Sequence, residues 1–202
     1  MRRSWTMSRL SIATALVLLA GCANPQRAAR PTAGEHFKVD AVHSSIGFRI
    51  EHLHVAYFYG RFNDVVGTFA FDEANPANTA LDIHVRAASI DTHNGLRDWN
   101  LKSAQFFDVG KFKEITFRST GANRLEEHRF SIAGDLTLHG VTRPLAVTVA
   151  RTGTGHPGMH GEQRSGFETF FEIKRSDFGM NAMPDLLGDD VKLMVSIEGV
   201  KE

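Results

Sequence analysis

Apolar and polar residues trade places one by one in run after run of this chain, and that period of two limits what it can fold into. Ile46, Phe48 and Ile50 point one way while Arg49 and Glu51 point the other. Leu81, Ile83, Val85 and Ala87 oppose Asp82, His84 and Arg86; Ile115 and Phe117 oppose Thr116 and Arg118. Phe130, Ile132, Leu136 and Leu138 share a face interrupted by Gly134, Leu145, Val147 and Val149 share another, and Val191, Leu193, Val195 and Ile197 oppose Lys192, Ser196 and Glu198. Strand-like runs also cover Phe37 to Val39, Val65 to Phe71 and Phe167 to Lys174. A half-buried strand alternates in this way, whereas a helix repeats every 3.6 residues. The expected fold is therefore all-β and antiparallel, a barrel or sandwich of about eight or nine strands. A membrane barrel would turn the apolar face outward. Here the strands are short and the charged face carries bulky Arg, Lys and Glu, so the apolar face is expected inside.

One stretch breaks the rule. From Ile90 to Phe117 the alternation stops, and Asp91-Thr92-His93-Asn94-Gly95 supplies turn and capping residues. Leu96 and Trp99, three apart, suit one face of a short helix, and Ser103 suits the cap of a further turn carrying Phe106 and Phe107. A long non-strand insertion in a compact domain is usually a lid or a binding segment. This one, over about 91–110, is too apolar for disorder and is expected to cover a hydrophobic interior.

Ahead of the domain, Arg2, Arg3 and Arg9 precede an apolar run from Leu10 to Ala20. That run is too short for a membrane span and suits an export signal over residues 1–21. It ends Leu19-Ala20-Gly21-Cys22, which resembles the bacterial lipobox, with Cys22 as the acylated residue. Cys22 is the single cysteine in the chain, so its acylation leaves no thiol for catalysis, disulfides or metal. Ala23 stands where an inner-membrane lipoprotein often carries Asp, so the resemblance implies the periplasmic side of an outer membrane. Residues 22–35 are polar and small and read as a tether, and 36–202 as one domain. Without the three signal arginines, 23 basic residues become 20 against 23 acidic ones, a net of −3. That balance gives no reason to expect nucleic acid as a partner.

Three further segments carry a resemblance. Asp40-Ala41-Val42-His43-Ser44-Ser45-Ile46-Gly47-Phe48 leads to Gly60-Arg61-Phe62 and Val66-Gly67-Thr68-Phe69. Gly134-Asp135-Leu136-Thr137-Leu138-His139-Gly140-Val141-Thr142 precedes Pro144, and Arg175-Ser176-Asp177-Phe178-Gly179-Met180 comes late. With the insertion, they resemble the YceI-like family of exported bacterial proteins over roughly residues 36–200. The resemblance implies a lipocalin-like antiparallel barrel that holds polyisoprenoid-type or other long-chain amphiphiles, with a homodimer expected on that ground alone. The chain departs from the family pattern at Asn100, where histidine is usual, at Gln105, where an acid is usual, and at Lys113 or Glu114, where proline is usual.

The reading is a non-enzymatic carrier with no cofactor and no metal, whose partners are a hydrophobic small molecule and, through Cys22, a membrane. Ligand contacts are expected from Phe48, Ile50, Phe69, Phe71, Ile83, Trp99, Phe106, Phe107, Phe117, Leu136 and Phe171, with Gly67, Ala87 and Gly134 leaving room between them. The competing readings are a histidine-based metal or hydrolytic protein and a filled barrel acting through its surface. His52 and His54 have chelating spacing on one strand face, His156 and His160 sit in a Gly-rich loop, and His43 lies beside Ser44 without a nucleophile-elbow pattern. Arg97 and Arg175 suit turn-and-cap roles beside Asp98 and Asp177; each alternatively pairs with an acid or holds a polar headgroup. Tyr57, Phe58, Tyr59 and Phe62 line the mouth or form a dimer contact.

Overall fold

The computed structural model describes residues 34–157 and 161–202. The expected export signal, Cys22, the tether to residue 33 and the side chains of His156 and His160 lie outside the described residues.

Eight antiparallel strands close into a barrel. The ring runs β1 (Glu35–Val39), β4 (Val65–Phe71), β5 (Ala80–Arg86), β7 (Glu114–Glu126), β8 (Arg129–Leu138), β9 (Val141–Pro157), β10 (Gln163–Lys174) and β11 (Leu187–Lys201), and β11 pairs back onto β1. Three further segments, β2 (Ser45–His52), β3 (Ala56–Phe62) and β6 (Ile90–Asp91), extend the wall rather than add to the ring. β11 faces β1 through Gly199–Lys201 and β2 through Leu187–Ser196, so β1 and β2 are two halves of one interrupted strand. The aromatic run Tyr57 to Phe62 is thus a strand, β3, in register with β2.

The β1–β2 break is pinned. Ser44 Oγ donates to the Asp40 and Glu198 carbonyls and accepts from Glu198 N–H. His43 Nδ1 lies 2.8 Å from Asp40, and Arg164 Nη1 bonds both Asp40 (2.9 Å) and Glu198. The Asp40–Ser45 motif therefore builds a strand joint, and Ser44 is bonded to backbone rather than to His43.

The alternation resolves as apolar-in. Along β10 and β11 the pairs Phe167–Ile197, Thr169–Val195, Phe171–Leu193 and Ile173–Val191 stack inward. Between them, outward, Lys192–Glu172 and Lys174–Asp190 bridge the strands at 3.5 and 2.7 Å. Such exposed pairs add little stability, but they mark the outer wall as wet.

One end of the barrel is packed solid. Phe37 stacks on Phe69 at 5.4 Å, Phe69 meets Phe167 edge-on at 5.2 Å, and Phe71 lies 5.4 Å from Phe130 and 5.7 Å from Phe167. All five rings are at most 4% exposed. Edge-to-face pairs at these separations add about 0.5–1.5 kcal/mol each beyond burial.

Close strand approach explains two glycines. A Cβ on Gly67 (φ +148°) would lie 2.1 Å from the Asp82 carbonyl, and one on Gly134 would lie 2.5 Å from the Arg118 carbonyl, beside a register shift in β7. Neither they nor Ala87 line the interior space, so small residues are not what hollows the barrel.

Candidate functional site: an apolar cavity with a polar rim

The other end is hollow. A cavity of about 340 Å³ extends from Phe167 along the barrel to a rim formed by β2, β3, the insertion and the segment over 175–187 that joins β10 to β11. Its size lies in the lower range of small-molecule sites. Inward-facing Phe117, Phe171, Leu193 and Val195 are only partly buried, although each points into the barrel. Closing eight strands sets a radius that holds either packed side chains or one ligand; here the interior side chains stop short of filling it.

Eight of the eleven expected contact residues line the cavity: Phe48, Ile50, Ile83, Phe106, Phe107, Phe117, Leu136 and Phe171. The other three do not. Phe69 and Phe71 face inward as their parity requires, but they belong to the packed end, with Phe167 above them as the cavity floor. Trp99 is 71% exposed.

Trp99 is out because the insertion's helix presents the opposite face. Helix α1 (Gly95–Leu101) starts at Asn94, whose side chain accepts the Arg97 N–H. Arg97, Asn100 and Leu101 line the cavity at spacings of three and four, while Leu96 and Trp99 face solvent. Asp98 fixes the entry, accepting from Thr92 N–H (2.9 Å) and Thr92 Oγ1 (2.5 Å). After α1 the chain turns back, with Gln105 N–H donating to Ser103 Oγ, and drops two rings into the barrel. Phe106 is buried, and Phe107 meets Phe62 edge-on at 5.6 Å. The lid expectation is met by Phe106, Phe107 and Leu101. Gln105 is exposed, whereas Asn100 lines the site.

The aromatic strand β3 divides by parity. Phe58 and Phe62 line the cavity, while Tyr57 and Tyr59 are 48% and 56% exposed.

The rim holds residues that hydrophobic parity did not single out as contacts. Arg97 Nε donates to Thr92 Oγ1 (2.7 Å) and Nη2 to the Thr92 carbonyl (2.6 Å), and its guanidinium lies 4.6 Å from the Phe58 ring centre. His52 packs, tilted, against the same ring, with centroids 4.4 Å apart. Arg175 is 7% exposed. It donates to four carbonyls: Nε to Gly188, Nη1 to Met180 and Ala182, and Nη2 to Leu187, all within 3.1 Å. Burial pushes its guanidinium below the ordinary arginine range. The only sequence signal for Arg175 was its motif, since its partners lie 5 to 13 residues downstream.

The His52–His54 pair does not assemble. His52 faces the cavity, whereas His54, at φ +55°, bonds Glu51 at 2.5 Å. His139 Nδ1 contacts the Phe178 carbonyl and its ring packs on Phe112. Asp40, His43 and Glu198 are close enough for a common cation, but Arg164 already occupies both carboxylates.

Comparison with known proteins gives consistent findings. The YceI-like domain family matches residues 37–199. Protein YceI of Salmonella newport is 38% identical over 168 residues, covering 82% of this chain and 87% of that protein. Burkholderia cenocepacia BcnA superposes with a TM-score of 0.72 at 20% identity, covering 79% of this chain and 98% of that one. A polyisoprenoid binding domain from Saccharophagus degradans, implicated in plant cell wall breakdown, superposes with a TM-score of 0.64 at 14% identity, over 84% of this chain and all of that one.

Proposed function

The chain belongs to the YceI-like family, and from that premise we propose that it binds a long-chain amphiphile in its barrel and carries or sequesters it without catalysing a reaction. The observation that carries this reading is the apolar cavity of about 340 Å³, floored by Phe167 and roofed by Phe106 and Phe107. The polyisoprenoid binding domain of the same fold supports a polyisoprenoid occupant, and the apolar lining suits a quinone or fatty-acyl chain as well.

At ~30 Å³ for each water- or methylene-sized group, the space takes about eleven such groups. Each buried methylene contributes ~0.8 kcal/mol, a gross of ~9 kcal/mol before the cost of association. A longer chain leaves its remainder at the rim, because the packed phenylalanines give it nowhere further to go. The tail is therefore held by contact with the wall, and no group in the wall is needed to transform it.

The proposal includes location: the mature protein sits in the periplasm, held to the outer membrane by a lipid on Cys22. Replacing Cys22 by Ser should move it from the membrane fraction to the soluble one. The binding reading is tested by purifying the mature protein without detergent, then applying native mass spectrometry and organic extraction. A co-purifying hydrophobic small molecule is expected. A protein that is empty and takes up no long-chain probe would refute the reading.

A further inference from the structure

We propose that the rim of the cavity selects an anionic headgroup, a carboxylate or phosphate monoester, over a neutral one on the same chain. The inference rests on the binding function proposed above and adds the ligand's charge to it. Among the described residues, two guanidinium groups line the cavity and no Asp or Glu does. The asymmetry is local, because the domain as a whole carries more acidic than basic residues.

A run of contacts joins the two arginines along one side of the mouth. Arg97 lies over Phe58, Phe58 packs against His52, His52 pairs in register with Leu187, and the Leu187 carbonyl accepts from Arg175. Asn100, on the same helix face as Arg97, adds an amide to this side.

Neither charge meets a carboxylate directly. Among the described residues, neither arginine forms a salt bridge; their donors go to Thr92 and to backbone carbonyls. Asp189 acts on Arg175 through space alone, and Asp98 reaches Arg97 only through the Thr92 hydroxyl, which accepts from Arg97 Nε and donates to Asp98. Carbonyl dipoles satisfy an arginine's N–H groups but leave its unit charge in place. A buried cation without a counter-charge is costly, and Arg175 is buried. An anion at the rim would supply the missing charge in a poorly solvated place, where charge-assisted hydrogen bonds are about twice as strong as neutral ones. Arg175 has four of its five N–H groups engaged, and Arg97 has two engaged, so donors remain for such a group.

The alternative that these arginines only brace loops accounts for their hydrogen bonds. It does not account for two arginines without a direct carboxylate partner, with no Asp or Glu among the described residues that line the same apolar cavity.

The test uses matched pairs of one tail: dodecanoate against dodecanol, and farnesyl phosphate against farnesol, titrated into the delipidated mature protein. At least about tenfold tighter binding of the anion is expected in one pair or both, the scale of one charged hydrogen bond. The carboxylate and phosphate arms separate the two sources of charge. Arg97→Gln should reduce that preference severalfold. Arg175→Gln, checked first for native circular dichroism, should reduce it further. Equal affinity of acid and alcohol, both binding, overturns the headgroup proposal alone. A preference undiminished in Arg97→Gln and in folded Arg175→Gln also overturns it. If no member of either pair binds, the carrier reading itself fails.

Discussion

Val195→Phe tests the hollow barrel from two sides at once. Val195 sits midway along β11, opposite Thr169 on one side and Ile46 on the other, with its side chain in the cavity. The substitution adds four carbons to a site with room for them. At ~30 Å³ each they take ~120 Å³, about a third of the available 340 Å³. A ligand tail then loses four methylenes of burial, ~3 kcal/mol at ~0.8 each, which is roughly 200-fold in Kd. In the empty protein the same ring covers apolar wall, and cavity filling of this kind stabilises by ~0.5–2 kcal/mol. Displacement of a fluorescent fatty-acyl probe reads the first effect, and urea unfolding of delipidated protein reads the second. Opposite signs, weaker binding with higher stability, are expected. Weaker binding with a loss of 1–3 kcal/mol would mean an overpacked core and refute the cavity. Unchanged binding would place the ligand elsewhere.

Phe71→Ala removes a ring from the packed end and should cost ~3–5 kcal/mol, seen as a large fall in urea midpoint. Trp99→Ala, by contrast, should change stability by less than ~0.5 kcal/mol and leave probe affinity within about twofold, because the indole is 71% exposed. The strand joint predicts an acid limit: hydrogen bonds from His43 and Arg164 hold the Asp40 carboxyl at about 2. A folded pKa below the unfolded value stabilises above the unfolded one, ~3.9, and that stability is lost as pH falls towards 2. Its worth after screening is ~1 kcal/mol, so Asp40→Asn should lower the unfolding midpoint at pH 7 and converge with the wild type near pH 2 in a thermal-melt series.

Parity in the sequence was enough to place side chains inside or outside the wall. Phe117, Leu136 and Phe171 were assigned inward by alternation alone, and each lines the cavity. Parity carries no information about height along the barrel axis. Phe69 and Phe71 satisfy it equally well, yet ring closure and the β1–β4 register put them in the packed end. Trp99 shows a second limit: two apolar residues three apart define a helical face, but not which face the rest of the protein covers. Arg175 shows a third. Its role depends on carbonyls brought to it by a turn and by β11, and no local spacing announces that arrangement.

The phenylalanine plug makes the barrel blind at one end, and this sets the order of events in loading and unloading. Whatever enters at the rim must leave by the rim, in reverse, with the part that went deepest emerging last. Such a protein cannot pass cargo through itself from one surface to another. If it carries cargo as proposed, release has to come back past α1 and its neighbours. Up to the length the cavity takes, the same geometry turns chain length into residence time: each methylene buried along the wall adds to the barrier for escape rather than to the speed of entry.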